Sequence, residues 1–178
     1  MTPFASERLQ FRELLPEDVS DAYVGWMNDP LINQYLETRF SRQDHDSVCD
    51  FVAAQLASPD AFLLRISLAK NDQHIGNIKL GPINHQHKSA QISLLVGEKA
   101  IHGQGYGTEA IARVTRWGFE ECGLARIEGG CYDTNLGSLR AFLKVGYSVE
   151  GFRREAVLSA QGRRIGAFWF ARLATDPQ

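Results

Sequence analysis

The spacing of apolar positions along this chain switches repeatedly between period two and a helical period, and each switch marks an element. Leu9-Gln10-Phe11-Arg12 alternates and predicts a short first strand. Pro16-Glu17-Asp18 opens a helix through Ala22, Tyr23 and Trp26, with proline in the first turn, and Asn28-Asp29-Pro30 breaks it. Ser41 with Asp44 reads as a capping-box start for a second helix. Its apolar stripe is Val48, Phe51, Val52 and Leu56, and it ends near Ser58-Pro59. Strands follow at 62–69, 75–80 and 89–96, the first two joined by a turn at Asn71-Asp72. A helix beginning near Thr108 lines up Ala110, Ile111, Val114 and Trp117, and Gly123 stops it. A strand at 125–132, a short helix carrying Leu136, Leu139, Phe142 and Leu143 and closed by Gly146, and strands at 147–153 and 164–173 complete the series. With no repeat and no linker, this order predicts an α+β fold with a mostly antiparallel sheet and helices on both faces, in a single domain spanning 1–178.

Composition narrows the function classes. Net charge is −2 and the basic residues form no run, which argues against nucleic acid or an anionic membrane as partner. The N-terminus lacks a basic stretch followed by an apolar one, no window approaches a transmembrane span, and Cys49, Cys122 and Cys131 are widely spaced without a C-x-x-C pair. A cytoplasmic protein with reduced thiols is the expectation.

The chemistry concentrates in His102-Gly103-Gln104-Gly105-Tyr106-Gly107-Thr108, where three glycines alternate between a strand and a helix. Glycine lets successive N–H groups turn inward, and the helix that follows presents its positive dipole end, so the segment suits a pyrophosphate. It is not a Walker A loop, since no lysine precedes Thr108, and not a dinucleotide fingerprint, since Thr108 stands where the third glycine belongs. A glycine-rich turn without a ligand is the plain alternative, and the flanking segments decide against it.

Two distant segments fit one pattern together. The loop at 102–107 resembles the Arg/Gln-x-x-Gly-x-Gly/Ala pyrophosphate loop of the GNAT superfamily of acyl-CoA N-acyltransferases, and Asn135-Leu136-Gly137-Ser138 with Lys144-Val145-Gly146-Tyr147 and Glu150-Gly151 resembles that family's second cofactor-facing helix and following strand. The similarity runs over nearly the whole chain. It is greatest to the branch holding the ribosomal-protein N-terminal alanine acetyltransferases, while Trp26-Met27-Asn28-Asp29-Pro30 and the segment 76–82 also resemble relatives that acetylate amino sugars.

That resemblance implies a three-layer α/β/α domain whose sheet is splayed at its centre, with acetyl-CoA as co-substrate and no metal. The backbone of Leu95, Val96 and Gly97 would meet the pantetheine arm, and His102, Gly103, Gln104, Gly105, Tyr106, Gly107 and Thr108 the pyrophosphate. Asn135 and Ser138 would also face the cofactor. His102 departs from the family's Arg/Gln, and is either a phosphate contact or an exposed loop residue. Phe142 stands where many members carry a tyrosine that protonates the leaving thiolate, so that proton must come from elsewhere. For catalysis the resemblance points to the Val96 N–H as oxyanion donor, to Ser138, and to Glu98 as a base, against the plainer reading of Glu98 as a solvated loop carboxylate. His85 and His87 have no companion ligand and are not read as a metal site.

The acceptor is expected near Tyr35-Leu36-Glu37-Thr38-Arg39-Phe40. There Glu37 would bind or deprotonate an amine, Arg39 pair with a phosphate or carboxylate, and Tyr35 or Phe40 stack on a sugar or base. Three readings stand: a small-molecule N-acetyltransferase, with a nucleotide-linked amino sugar as preferred acceptor; an acetyltransferase of peptide N-termini; and a catalytically silent acyl-CoA-binding module. Small enzymes of this kind often pair, so a homodimer is the expected assembly.

Overall fold

A computed structural model describes residues 1–177. Eight strands form one sheet: β1 (Phe4–Ala5), β2 (Leu9–Glu13), β3 (Phe62–Leu68), β4 (His74–Asn84), β5 (Ser89–Val96), β6 (Arg126–Tyr132), β7 (Ser148–Leu158) and β8 (Arg164–Leu173), in the order β1-β2-β3-β4-β5-β6-β8-β7. Every pairing is antiparallel except that of β5 with β6. The helices are α1 (Asp21–Asn28), α2 (Pro30–Asn33), α3 (His45–Leu56), α4 (Tyr106–Glu120) and α5 (Leu136–Lys144). Strand alternation divides the buried residues into two clusters. Leu64, Ile66, Ile78, Leu80, Ile92 and Ile127 pack with Ala110, Ile111, Val114 and Trp117 of α4 and Phe142 of α5. On the other face Leu63 packs with Tyr23, Trp26, Ile32, Val48 and Val52 of α1, α2 and α3.

Local capping explains where the elements depart from expectation. Pro16–Asp18 makes only one 3₁₀ turn, because Val19 returns to extended backbone (ψ 99°) and Ser20 caps a separate α1 by accepting the Tyr23 N–H. The break at Asn28-Asp29-Pro30 restarts a helix as well as ending one: Asp29 caps α2, with Pro30 at its first position. The cap of α3 is Asp44 with Ser47, rather than Ser41 with Asp44. Its stripe narrows to Val48 and Val52, while Phe51 and Leu56 are exposed. The turn at Gly105, in the left-handed region (φ 85°), starts α4 two residues ahead of Thr108. β7 runs five residues past Arg153, after a register shift between Arg153 and Val157. No helix among the described residues is long and apolar enough to cross a membrane.

Candidate active site

The one parallel pairing positions the site. β5 and β6 are joined only at Ser89 with Arg126, Ala90 with Ile127 and Gln91 with Glu128, and beyond these they separate. Just past β5 the Gly97 N–H donates to Ile75 O at 2.9 Å, toward β4. Because backbone polar groups alternate in direction along a strand, Val96 turns its N–H and C=O to the opposite side, into the gap. The gap is part of a cleft of about 1020 Å³ whose lining comes from both faces of the sheet.

On the α4 side the cleft begins at the glycine loop. Gly103 (φ 78°) and Gly105 (φ 85°) both lie where a side chain is strained, and Gly105 forms the N-terminal boundary of a 15-residue helix. Its first-turn N–H groups have no partner within the helix, and the dipole favours an anion there. Arg8 fastens this loop from the N-terminal segment. Its Nη1 donates to Gln104 O at 3.1 Å, its Nε to Glu109 Oε2 at 2.6 Å, and its guanidinium stands 4.2 Å from the centre of the Tyr106 ring. Burial works against the Glu109 charge, but the Arg8 N–H, the Ser6 hydroxyl and the Arg8 guanidinium together hold that carboxyl below its ordinary range. Opposite, Asn135 caps α5 by accepting the Ser138 N–H at 3.2 Å. Burial pushes the Cys131 thiol of β6 up to about 11, against a hydrogen bond with the Ser138 side chain, so the thiol stays neutral. Arg140 and Lys144, one turn apart on α5, line the same side.

The opposite face of the sheet carries a different set of groups. The register sets Trp169 beside Gly130, and Ala167 beside both Tyr132 and Arg153, so these residues share one face. A Cβ on Gly130 would lie 2.7 Å from the indole of Trp169, so glycine is what lets that ring lie across the strand. The Tyr132 hydroxyl donates to Glu37 Oε1 and accepts from Arg39 Nη1 at 2.9 Å. Burial and the Glu37 carboxylate raise the Tyr132 phenol above its ordinary range, against the lowering effect of Arg39. Among the described residues that line the cleft, Glu37 is the one carboxylate, set against Lys79, Arg140, Lys144 and Arg153.

A family model described as an acetyltransferase (GNAT) domain matches residues 8–148. The chain belongs to the GNAT acetyltransferase family. It is 34% identical over 106 residues to the probable N-acetyltransferase YjcK of Bacillus subtilis, a match spanning 58% of this chain and 57% of YjcK. To the uncharacterised N-acetyltransferase YoaA of the same organism it is 26% identical over 151 residues, 84% of this chain and 85% of YoaA. Two solved structures share the fold: the spermidine N-acetyltransferase of Vibrio cholerae in complex with coenzyme A and spermine (TM-score 0.83, 19% identity, 94% of this chain and 96% of that one), and RimL, a ribosomal L7/L12 α-N-protein acetyltransferase in complex with coenzyme A (TM-score 0.82, 17% identity, 94% and 95%). The protein is therefore an N-acetyltransferase of the GNAT fold, with the expected α+β architecture.

Within that GNAT frame, Leu95, Val96, His102, Gly103, Gly105, Tyr106, Gly107, Thr108, Asn135 and Ser138 come together on the cleft, and Tyr35 and Glu37 join them from the α2 side. Five residues singled out from the sequence lie off the lining. Gly97 is a packing residue, since a Cβ there would lie 1.9 Å from the Trp26 indole, and its N–H is used on β4. Glu98 caps the 3₁₀ turn at Lys99–Ile101 through the Ala100 N–H. Gln104 folds back on Ala100 O. The Phe40 side chain is exposed and stands against the Arg39 guanidinium. Arg39 was expected to meet an acidic group of the acceptor, but its side chain is only 6% exposed. Its Nη1 and Nη2 are held inside the protein by Leu36 O, Tyr132 and Leu158 O, and its Nε is buried without a partner, so the group does not face the cleft. His102, on the lining, places its Nε2 2.8 Å from Val96 O.

Sequence reasoning missed Arg8, Lys79, Tyr132, Arg153 and Trp169. The last four lie on strands, where alternation marks them as one-face residues without saying that the face is a cleft. Arg8 carried no signal, because its partners lie about a hundred residues away.

Proposed function

We propose that the protein transfers acetyl from acetyl-CoA directly to the primary amine of a small acceptor that also carries an acidic group, as a nucleotide-linked amino sugar does. The observation that carries this reading is the splay itself: one cleft joins a helix N-terminus on one face of the sheet to a lone carboxylate, Glu37, on the other. In this reading the amides from Gly103 to Thr108 hold the pyrophosphate and Val96 pairs with the pantetheine arm. Glu37 takes the proton of the incoming ammonium, and the neutral amine nitrogen then attacks the thioester carbon. The C–N bond forms, the carbonyl oxygen gains charge opposite the Val96 N–H, and the C–S bond breaks. The proton shed by the acylated nitrogen passes through the Ser138 hydroxyl to the departing thiolate, since buried Phe142 has none to give.

The charge of the cleft favours the acidic acceptor. Lys79 and Arg153 share the acceptor face, and a polyamine, such as the spermine bound by the Vibrio cholerae neighbour, would meet them with like charge. A peptide N-terminus, the substrate class in RimL's name, is the second reading. A thiol-release assay over nucleotide-linked amino sugars, free amino sugars, polyamines and ribosomal N-terminal peptides tests it. The highest kcat/KM is expected with an acceptor bearing phosphate or carboxylate. A polyamine or neutral amine as best substrate overturns the reading, and thermal stabilisation by acetyl-CoA without thiol release from any amine indicates a silent module.

A further inference from the structure

Tyr132 has no role in the reading above, yet it ends β6 on the acceptor face, lines the cleft and is 8% exposed. Its hydroxyl sits between two charged groups of the connector, Glu37 and Arg39. A guanidinium can only donate. With Arg39 Nη1 donating to the phenolic oxygen, the phenolic hydrogen is left for Glu37, and its direction is fixed by chemistry rather than by rotation. Arg39 is itself held by Leu36 O at 2.5 Å and by Leu158 O of β7, so the chain from β7 to the carboxylate is anchored at its far end. The ring is fixed as well, edge-on to Tyr35 at 6.0 Å, and the Tyr35 hydroxyl donates to Thr134 O at 3.3 Å. Glu37, by contrast, has a side chain 73% exposed, free to take many rotamers if nothing held it.

We infer that Tyr132, oriented by Arg39, is the positioning residue that holds Glu37 with one carboxylate oxygen bonded and the other turned to the acceptor's ammonium. The inference rests on the proposed role of Glu37 as proton acceptor. Arg39 Nη1 lies 3.8 Å from Glu37 Oε1, Lys79 on β4 and Arg153 on β7 line the same cleft, and a change confined to Tyr132 removes none of these charges. Removing the phenolic donor withdraws the hydrogen bond that holds the carboxylate in place.

Tyr132→Phe keeps the ring against Tyr35 and deletes only the hydroxyl. The expected result is a fall in kcat of about 10-fold, the weight of one hydrogen bond to a charged group. KM for acetyl-CoA should stay unchanged, so that the loss falls on kcat alone. Glu37→Gln should cost about 100-fold or more. The double variant should then be no slower than Glu37→Gln alone, since the hydroxyl acts through the carboxylate. Wild-type turnover in Tyr132→Phe, a raised KM for acetyl-CoA, or losses that multiply in the double variant overturn the inference. A silent Glu37→Gln would instead remove the reading on which it rests.

Discussion

The two ends of the cleft are built from different materials. The end proposed for the cofactor is largely main chain: the Gly103 to Thr108 loop, the start of α4 and the strand edge at Val96. Its side chains, such as Arg8 and Glu109, hold the loop from outside. The end proposed for the acceptor is mostly side chain: Tyr35, Glu37, Lys79, Tyr132, Arg153 and Trp169, brought together from a connector and four strands. A backbone cradle reads a group common to every acyl-CoA and tolerates changes of the side chains around it. A side-chain pocket can be rewritten one residue at a time. The proposed function thus makes donor recognition and acceptor choice separable, and substitution at each end should show it.

The largest effect is expected at the cofactor end from filling the cradle. Gly107 has no positive φ, and a Cβ there would lie at ordinary contact distance from Leu94 (3.6 Å) and Val96 (3.7 Å), so a side chain can be carried without strain in the backbone. Gly107→Glu should therefore keep its far-ultraviolet circular dichroism while losing acetyl-CoA binding by calorimetry. Gly107→Ala, which favours helix, should retain binding. Gly105→Glu is a poorer probe, because a left-handed position costs a side chain about 1–2 kcal/mol before any ligand is considered. Unchanged affinity in Gly107→Glu would remove the cradle from the site.

What could be read in advance follows the same division. The glycine loop is legible because its chemistry is local: alternate glycines and a helix start lie within seven residues. The strands 89–96 and 164–173 coincide with β5 and β8, whose apolar-rich runs match the observed spans. Glu37 and Tyr35 were found as an acid and an aromatic in a short connector, but the fate of Arg39 was not legible. Its partners, Tyr132 and Leu158, lie 93 and 119 residues away, and only the folded chain shows that the guanidinium is buried among them. The extent of β4 and β7 was likewise hidden, because both continue through register shifts.

A smaller effect, confined to the acceptor end, is expected from its cations. Lys79→Gln and Arg153→Gln each remove one positive charge from the acceptor face while leaving the Glu37, Tyr132 and Arg39 cluster intact. Each should raise KM for an acidic acceptor by about 3- to 10-fold, the range of a solvent-accessible charge pair or charge-assisted hydrogen bond. KM for acetyl-CoA should not move. Steady-state kinetics with an acidic amine and its neutral analogue measures the difference, and an equal rise for both would show loss of shape rather than of charge recognition.

The smallest effect tests where the two ends meet. His102 Nε2 lies 2.8 Å from Val96 O, the carbonyl on the strand edge that the pantetheine arm is proposed to use. If the imidazole and the arm compete for that carbonyl, binding must first break this bond, whose net worth is about 0.5–1.5 kcal/mol. His102→Ala should then tighten acetyl-CoA binding about 2- to 10-fold and leave acceptor KM alone. Were the imidazole to swing instead onto the pyrophosphate, the same substitution would weaken binding. The sign of the change in Kd, read by calorimetry, decides between a side chain that guards the backbone edge and one that joins the cradle.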